Sequence, residues 1–247
     1  LLGDSKTNEI AKKTWKAIDY LVSNVLGSND NKIRENSMWA LSNTFRFKNN
    51  SVEEVQKVLP ILNQILYENI ENTMTTDSLW TLSYLLDCDN SEITESVYSG
   101  INWRLVVDMI DSTNKKVAIR VIGDFIAEFS APRISELVER GLFTQLTKLD
   151  ISTMTITKVR EMMWILSNIA CEPEFVNKLL EQTDLLDAVI EKLMCIPDNN
   201  KCVGELVHFV SNALTSLQIN HDDNGLANVI DYLKSKGIVE CLNNYIP

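Results

Sequence analysis

One short pattern recurs along this chain at a nearly fixed spacing, and that spacing constrains the fold more than any other feature. An aromatic residue is followed four positions later by an amide or a phenol in Trp39-Ala40-Leu41-Ser42-Asn43, Trp80-Thr81-Leu82-Ser83-Tyr84 and Trp164-Ile165-Leu166-Ser167-Asn168. A further copy, His208-Phe209-Val210-Ser211-Asn212, has an imidazole in the ring position. Between them Arg120-Val121-Ile122-Gly123-Asp124 has Arg for the ring and Asp for the amide. Aligned on the last residue, Asn43, Tyr84, Asp124, Asn168 and Asn212 stand 41, 40, 44 and 44 residues apart. Residues i and i+4 share one face of a helix, so the spacing predicts equivalent helices that each carry a ring and a polar hook one turn apart.

Each period repeats the same internal order. A short acidic helix is expected at Ser51–Leu59, Ser91–Ser99, Ala131–Arg140 and Pro173–Glu181. A break follows at Pro60, Gly100, Gly141 or Thr183-Asp184, and then an apolar helix at Ile61–Tyr67, Trp103–Ile110, Leu142–Leu149 and Leu185–Met194. The third helix carries the ring and hook. Apolar residues recur at helical spacing, as in Leu105, Val106, Met109 and Ile110, and no segment alternates long enough for a half-buried strand. Only 8 Gly and 5 Pro occur in 247 residues, too few for the turns of a sheet protein. Three helices in 40–44 residues is the order of an armadillo repeat rather than the two-helix HEAT repeat. The expected fold is all-α, a right-handed superhelical solenoid of armadillo repeats forming a single domain over 1–247. Within it, 1–7 closes a preceding repeat, 8–48, 49–90, 91–130, 131–172 and 173–219 are repeats, and 220–247 opens another. Asn8–Val25 holds the first two helices of its repeat, and Leu226–Lys234 and Ile238–Tyr245 flank a break at Gly237. One repeat cannot bury its apolar face alone, so the stack is expected to behave as one quasi-linear unit.

A formal net charge of -11 argues against nucleic acid as a direct ligand and is compatible with a cationic partner. The five cysteines, Cys88, Cys171, Cys195, Cys202 and Cys241, show no CxxC spacing and read as reduced thiols inside the cell. No run of about 18 apolar residues suggests a membrane span. The opening Leu1-Leu2-Gly3-Asp4 has neither signal-peptide character nor an initiator Met, and reads as the start of a piece of a longer chain. No metal or cofactor is expected, and no enzyme. Only His208 and His221 are present, without HExxH, a Gly-rich phosphate loop or GxSxG, and Cys202 and His208 lie six residues apart, a poor spacing for a helical pair.

The ring-and-hook series resembles a known family, importin α (karyopherin α). Trp39 to Asn43 with Arg46 and Lys48 is similar to a central repeat of that family. Leu79–Asp87, with Tyr84 in the hook position, resembles its next repeat, Ala118–Asp124 the following one, where Arg stands for Trp, and Trp164–Ile169 the one after. The order Trp/Asn, Trp/Tyr, Arg, Trp/Asn is more specific than any single motif. By that register the chain runs from the end of the family's second repeat into its eighth, with Gly3-Asp4 resembling the end of the second repeat's third helix. The resemblance implies a nuclear import adaptor, shuttling between cytoplasm and nucleus, that binds extended Lys/Arg-rich localisation signals of cargo proteins in a concave groove. It also implies a major site on repeats two to four, a minor site on repeats six to eight, and importin β bound through an N-terminal segment outside these residues.

The residue types suit that ligand. Parallel indoles form slots for a lysine or arginine stem, with each contact worth roughly 0.5–2 kcal/mol. An Asn amide both donates and accepts, so it can hold the C=O and N–H of an extended main chain. Acids three residues before the ring face the same way and add charge selection. The resemblance assigns Asp4, Asn36, Trp39, Asn43, Asp77, Trp80 and Tyr84 to the major-site remnant and Arg120 to the linker between sites. It assigns Glu161, Trp164, Asn168, Glu205, His208 and Asn212 to the minor site. Trp15 and Trp103, with no hook four residues on, read as packing. Asp124 accepts but cannot donate, which removes the two-way grip and suits pairing with Arg120. His208 is a thinner wall than an indole, and the glycines that usually follow the hook are replaced near Cys88, Glu128 and Glu172. The competing readings are a β-catenin-like armadillo scaffold for another peptide or protein, whose groove is typically basic, and a purely structural spacer.

Overall fold

A computed structural model describes residues 17–46, 50–68, 73–195 and 200–243. Every regular element among them is helical. They are α1 Ile18–Gly27, α2 Asn31–Phe45, α3 Val52–Glu68, α4 Thr73–Leu86, α5 Ser91–Gly100, α6 Trp103–Asp108 and α7 Lys115–Glu128. There follow α8 Ala131–Glu139, α9 Leu142–Leu146, α10 Ile156–Ile169, α11 Pro173–Glu181, α12 Thr183–Met194, α13 Asn200–Ile219, α14 Asp223–Ser235 and α15 Ile238–Asn243. Short 3-10 turns sit at Met109–Asp111 and Ile151–Thr153. The chain divides into two compact units, one running to Glu128 and one from Phe129, a step two residues from the expected repeat boundary after residue 130.

Local chemistry starts and stops these helices. The carboxylate of Asp30 caps α2 by accepting from the Lys32 N–H at 2.8 Å, and the side chains of Asn90 and Asn102 cap α5 and α6. Pro173 opens α11, where its missing N–H costs nothing. Gly141 (φ 95°) and Gly237 (φ 68°) hold left-handed turns before α9 and α15, a conformation that a Cβ disfavours.

The order of helices departs from the sequence reading in the 49–90 repeat. No break occurs at Pro60, and one helix, α3, runs from Val52 to Glu68 with the proline inside it. The apolar face is continuous across that point, with Val55, Val58, Leu59, Ile61, Leu62, Ile65 and Leu66 all buried. Pro60 and Gln56, whose carbonyl loses its partner, are both exposed, so the break in the hydrogen-bond ladder lies on the solvent side of the helix. This repeat therefore has two helices rather than three. The expected break at Thr183-Asp184 instead falls at Gln182, and α9 ends at Leu146, three residues early. The expected helices within residues 8–16 lie outside the described residues.

Within each unit the repeats are tied at intervals close to one period. In the first unit, Asn63 donates to the Gly100 carbonyl at 2.6 Å and accepts from the Asn102 N–H at 2.8 Å, while Thr76 donates to the Asn114 side chain at 2.6 Å. In the second, Ser216 donates to the Ala170 carbonyl at 2.9 Å and Tyr232 to Asp187 at 2.7 Å. Trp103 is buried with its edge against Phe125, ring centroids 4.5 Å apart, and its indole N–H donates to the Tyr98 carbonyl at 3.0 Å. It is a packing residue, as its lack of a hook suggests.

Candidate functional site

In the first unit the ring-bearing helices α2, α4 and α7 pack side by side in sequence order. Their inner faces explain the motif's middle residues, because Leu41, Leu82 and Ile122 are completely buried. That leaves the ring and hook at the edge. The indole of Trp39 is 41% exposed, and Asn36 is exposed one turn earlier. The Asn43 amide donates back to the Trp39 carbonyl at 3.0 Å, so the hook is folded onto its own helix and must turn outward to grip a ligand. On α4, Trp80 and Tyr84 are half-buried and stack at 6.0 Å with 21° between their planes. The phenol thus thickens the wall that Trp80 forms.

Asp77 precedes Trp80 on the same helix. Its carboxylate is half-buried and has no hydrogen bond or ion pair among the described residues, and this burial alone pushes its pKa up to about 6. A carboxyl group that is easier to protonate in the folded state makes the fold less stable as pH rises from near 4 through 6. Asp77→Asn removes that penalty. In urea unfolding, the variant's advantage over the wild type is expected to be near zero at pH 4 and fully developed above pH 6. An advantage that shrinks with rising pH contradicts this assignment.

Arg120 and Asp124 on α7 form a clamp instead of a hook. The Asp124 carboxylate, 7% exposed, accepts from Arg120 Nε at 2.9 Å and from Ser83 Oγ on α4 at 2.6 Å. Burial pushes its pKa up, while these two donors pull it down. Arg120 is thereby held in place with about half of its side chain exposed. Ser83→Ala strips one buried oxygen of its donor and is expected to cost about 1–3 kcal/mol in urea unfolding.

In the second unit α10 and α13 pack against each other. Trp164 and Asn168 on α10 are half-buried, and the Asn168 amide side chain makes no hydrogen bond among the described residues. Glu161 pairs with Lys158, and Glu205 on α13 accepts from Arg160 Nη2 at 2.9 Å. His208 is exposed. The Asn212 amide is committed, because it donates to both the carbonyl and the hydroxyl of Ser167, each at 3.0 Å. Asn212 thus bonds to Ser167 as Asp124 does to Ser83, so the hook of a later helix reaches back to the serine just before the earlier hook. Asp4 and Trp15 lie outside the described residues.

The structure therefore brings together Asn36, Trp39, Asn43, Asp77, Trp80 and Tyr84 on adjacent helices of one unit, with Arg120 on the next. In the other unit it places Glu161, Trp164, Asn168, Glu205, His208 and Asn212 on one helix pair. Sequence reasoning passed over Ser83, Ser167, Lys158 and Arg160. The two serines stand inside the motif at a fixed place before the hook, which was the available signal, and Lys158 is one helical turn from Glu161. Arg160 gave no such signal, since its partner is 45 residues away on another helix. No group of three or more His, Cys, Asp or Glu among the described residues is placed to hold a metal ion. Cys202 is buried, which pushes its thiol pKa up and away from a reactive thiolate.

Comparison with known proteins agrees with this architecture. No protein-family model matches the chain. It is 33% identical over 112 residues to importin subunit alpha-4 of Arabidopsis thaliana, covering 44% of this chain and 20% of that protein. It is 28% identical over 137 residues to importin subunit alpha-1a of Oryza sativa subsp. japonica, covering 54% and 26%. It is 35% identical over 86 residues to importin subunit alpha-1 of Schizosaccharomyces pombe, covering 34% and 16%. The matched stretches thus span about a quarter or less of these relatives. Among solved structures, a designed armadillo repeat protein in complex with the peptide (KR)4 superposes with a TM-score of 0.69 at 21% identity, covering 86% of this chain and 88% of that one. Another designed armadillo repeat protein gives 0.71 at 20% identity, covering 86% and 90%. The chain thus has an armadillo-repeat fold and, over the matched stretches, is similar to importin α subunits.

Proposed function

We propose that this chain is part of a nuclear import adaptor that binds Lys/Arg-rich localisation signals of cargo proteins in extended form. The observation that carries the reading is the surface of α2 and α4, where an exposed indole, Trp39, and the Trp80–Tyr84 stack accompany the carboxylate of Asp77, which has no partner among the described residues. Rings of this kind receive the stems of lysine or arginine, and the carboxylate receives the head group. The Asn43 amide, released from the Trp39 carbonyl, has the donor and acceptor to hold the peptide main chain. The net charge of -11 adds long-range attraction for a basic segment. Similarity to importin α subunits and to a designed protein bound to (KR)4 supports the same ligand class. The role carries with it shuttling between cytoplasm and nucleus, and importin β as partner through an N-terminal segment.

The reading is tested by fluorescence anisotropy with a labelled lysine-rich signal peptide. Wild type is compared with Trp39→Ala/Asn43→Ala and with Trp164→Ala/Asn168→Ala. Equal binding by all three sinks the assignment. A cation on Asp77 lowers its pKa, so binding below about pH 6 releases a proton and affinity is expected to rise between pH 5 and pH 7. Asp77→Asn should bind more weakly and lose that rise.

A further inference from the structure

The two units differ in what their ring-face carboxylates touch. Asp77 has no partner among the described residues, whereas both carboxylates of the second unit are taken by the chain's own cations. Lys158 meets Glu161 along α10, and its side chain is only 17% exposed. Arg160 crosses from α10 to Glu205 on α13, and the two side chains are 28% and 16% exposed. Arg160 leaves α10 about one turn before Trp164, and Lys158 a little more than half a turn earlier still.

We propose that Lys158 and Arg160 are built-in occupants of the carboxylate positions, so that the surface around Trp164 holds an extended peptide of neutral side chains and does not select lysine or arginine. This deepens the peptide-binding reading and rests on it. An incoming lysine meets carboxylates whose charge is already balanced by an adjacent cation, so it gains little net attraction while its head group still loses water. What remains available is the half-buried Trp164 ring and the Asn168 amide, which makes no hydrogen bond among the described residues. An amide reads main chain, and an indole face takes an apolar or neutral stem as readily as a charged one. The second hook, Asn212, is held by Ser167, and the exposed imidazole of His208 replaces the second indole. Lys158 and Arg160 are therefore specificity-determining residues that act by filling the site.

The test uses the whole chain with Trp39→Ala and Trp80→Ala, which silences the first unit. Two labelled peptides of equal length are titrated, one lysine-rich and one with every lysine replaced by glutamine. With Lys158 and Arg160 intact, the two peptides are expected to bind within about threefold of each other, and adding Lys158→Gln and Arg160→Gln should strengthen the lysine-rich peptide by about tenfold. That gain should vanish at high salt, since it comes from freed carboxylates. Circular dichroism checks folding, and Lys158→Gln alone, which frees Glu161 and leaves Glu205 paired, decides the matter if the double change does not fold. A strong preference for the lysine-rich peptide with both cations in place overturns the inference, as does the absence of any gain on removing them. Failure of the wild type to bind the lysine-rich peptide is a separate result that sinks the adaptor reading itself.

Discussion

Replacing Trp39 and Asn43 together by alanine is expected to weaken binding of a lysine-rich peptide by roughly 30- to 150-fold, about 2–3 kcal/mol. The larger share belongs to the indole. Trp39 is 41% exposed in the free chain, so a ligand stem lying on it buries apolar surface on both partners and gains cation–π attraction from a nearby ammonium. The Asn43 share is smaller, because its amide first gives up the 3.0 Å bond to the Trp39 carbonyl. Neither side chain supports the core, which is built by Met38, Leu41 and Phe45 on the opposite face of α2. The variant should therefore unfold at the same urea concentration as the wild type, and a binding loss accompanied by a large stability loss contradicts this account. Trp164→Ala/Asn168→Ala should cost much less with the same peptide, because the acids beside Trp164 are already paired.

The second large effect is on stability. Phe125 is completely buried on α7, with its ring against the edge of Trp103 at 4.5 Å and near Tyr98 at 6.2 Å. Phe125→Ala leaves a cavity lined by two rigid rings that cannot collapse into it, and is expected to cost about 3–5 kcal/mol. In a stacked-repeat protein such a loss falls first on the neighbouring repeats. The urea transition of the unit that ends at Glu128 should move to lower denaturant and separate from that of the other unit. A loss below about 1 kcal/mol means that the rings repack, and it contradicts the rigid-cluster description.

The periodicity of the sequence was enough for the helices and their order, because the apolar residues that define it are those the repeats bury against one another. Where it misled, at Pro60, the local rule was overridden by a continuous buried face, with the break in the hydrogen-bond ladder on the solvent side of the helix. The ring positions were likewise legible, since i and i+4 share a helix face. The partners were not. That Asn212 is spent on Ser167, that Asp124 joins Arg120 to Ser83, and that Arg160 occupies Glu205 all depend on how one helix is rotated against the next. Spacing along the chain does not carry that information. That Asp77 has no partner among the described residues, on which the proposed cation recognition in the first unit turns, is legible only once the surrounding side chains are in place.

The most direct test of the central claim is a crystal structure of this chain bound to a lysine-rich peptide. The account predicts an extended peptide across α2 and α4, with a lysine stem between Trp39 and Trp80. Its ammonium should lie within hydrogen-bonding distance of Asp77, and the Asn43 amide should be turned off the Trp39 carbonyl onto the peptide main chain. A peptide bound away from these helices, or one that leaves Asp77 unpaired and Asn43 folded back, would contradict it.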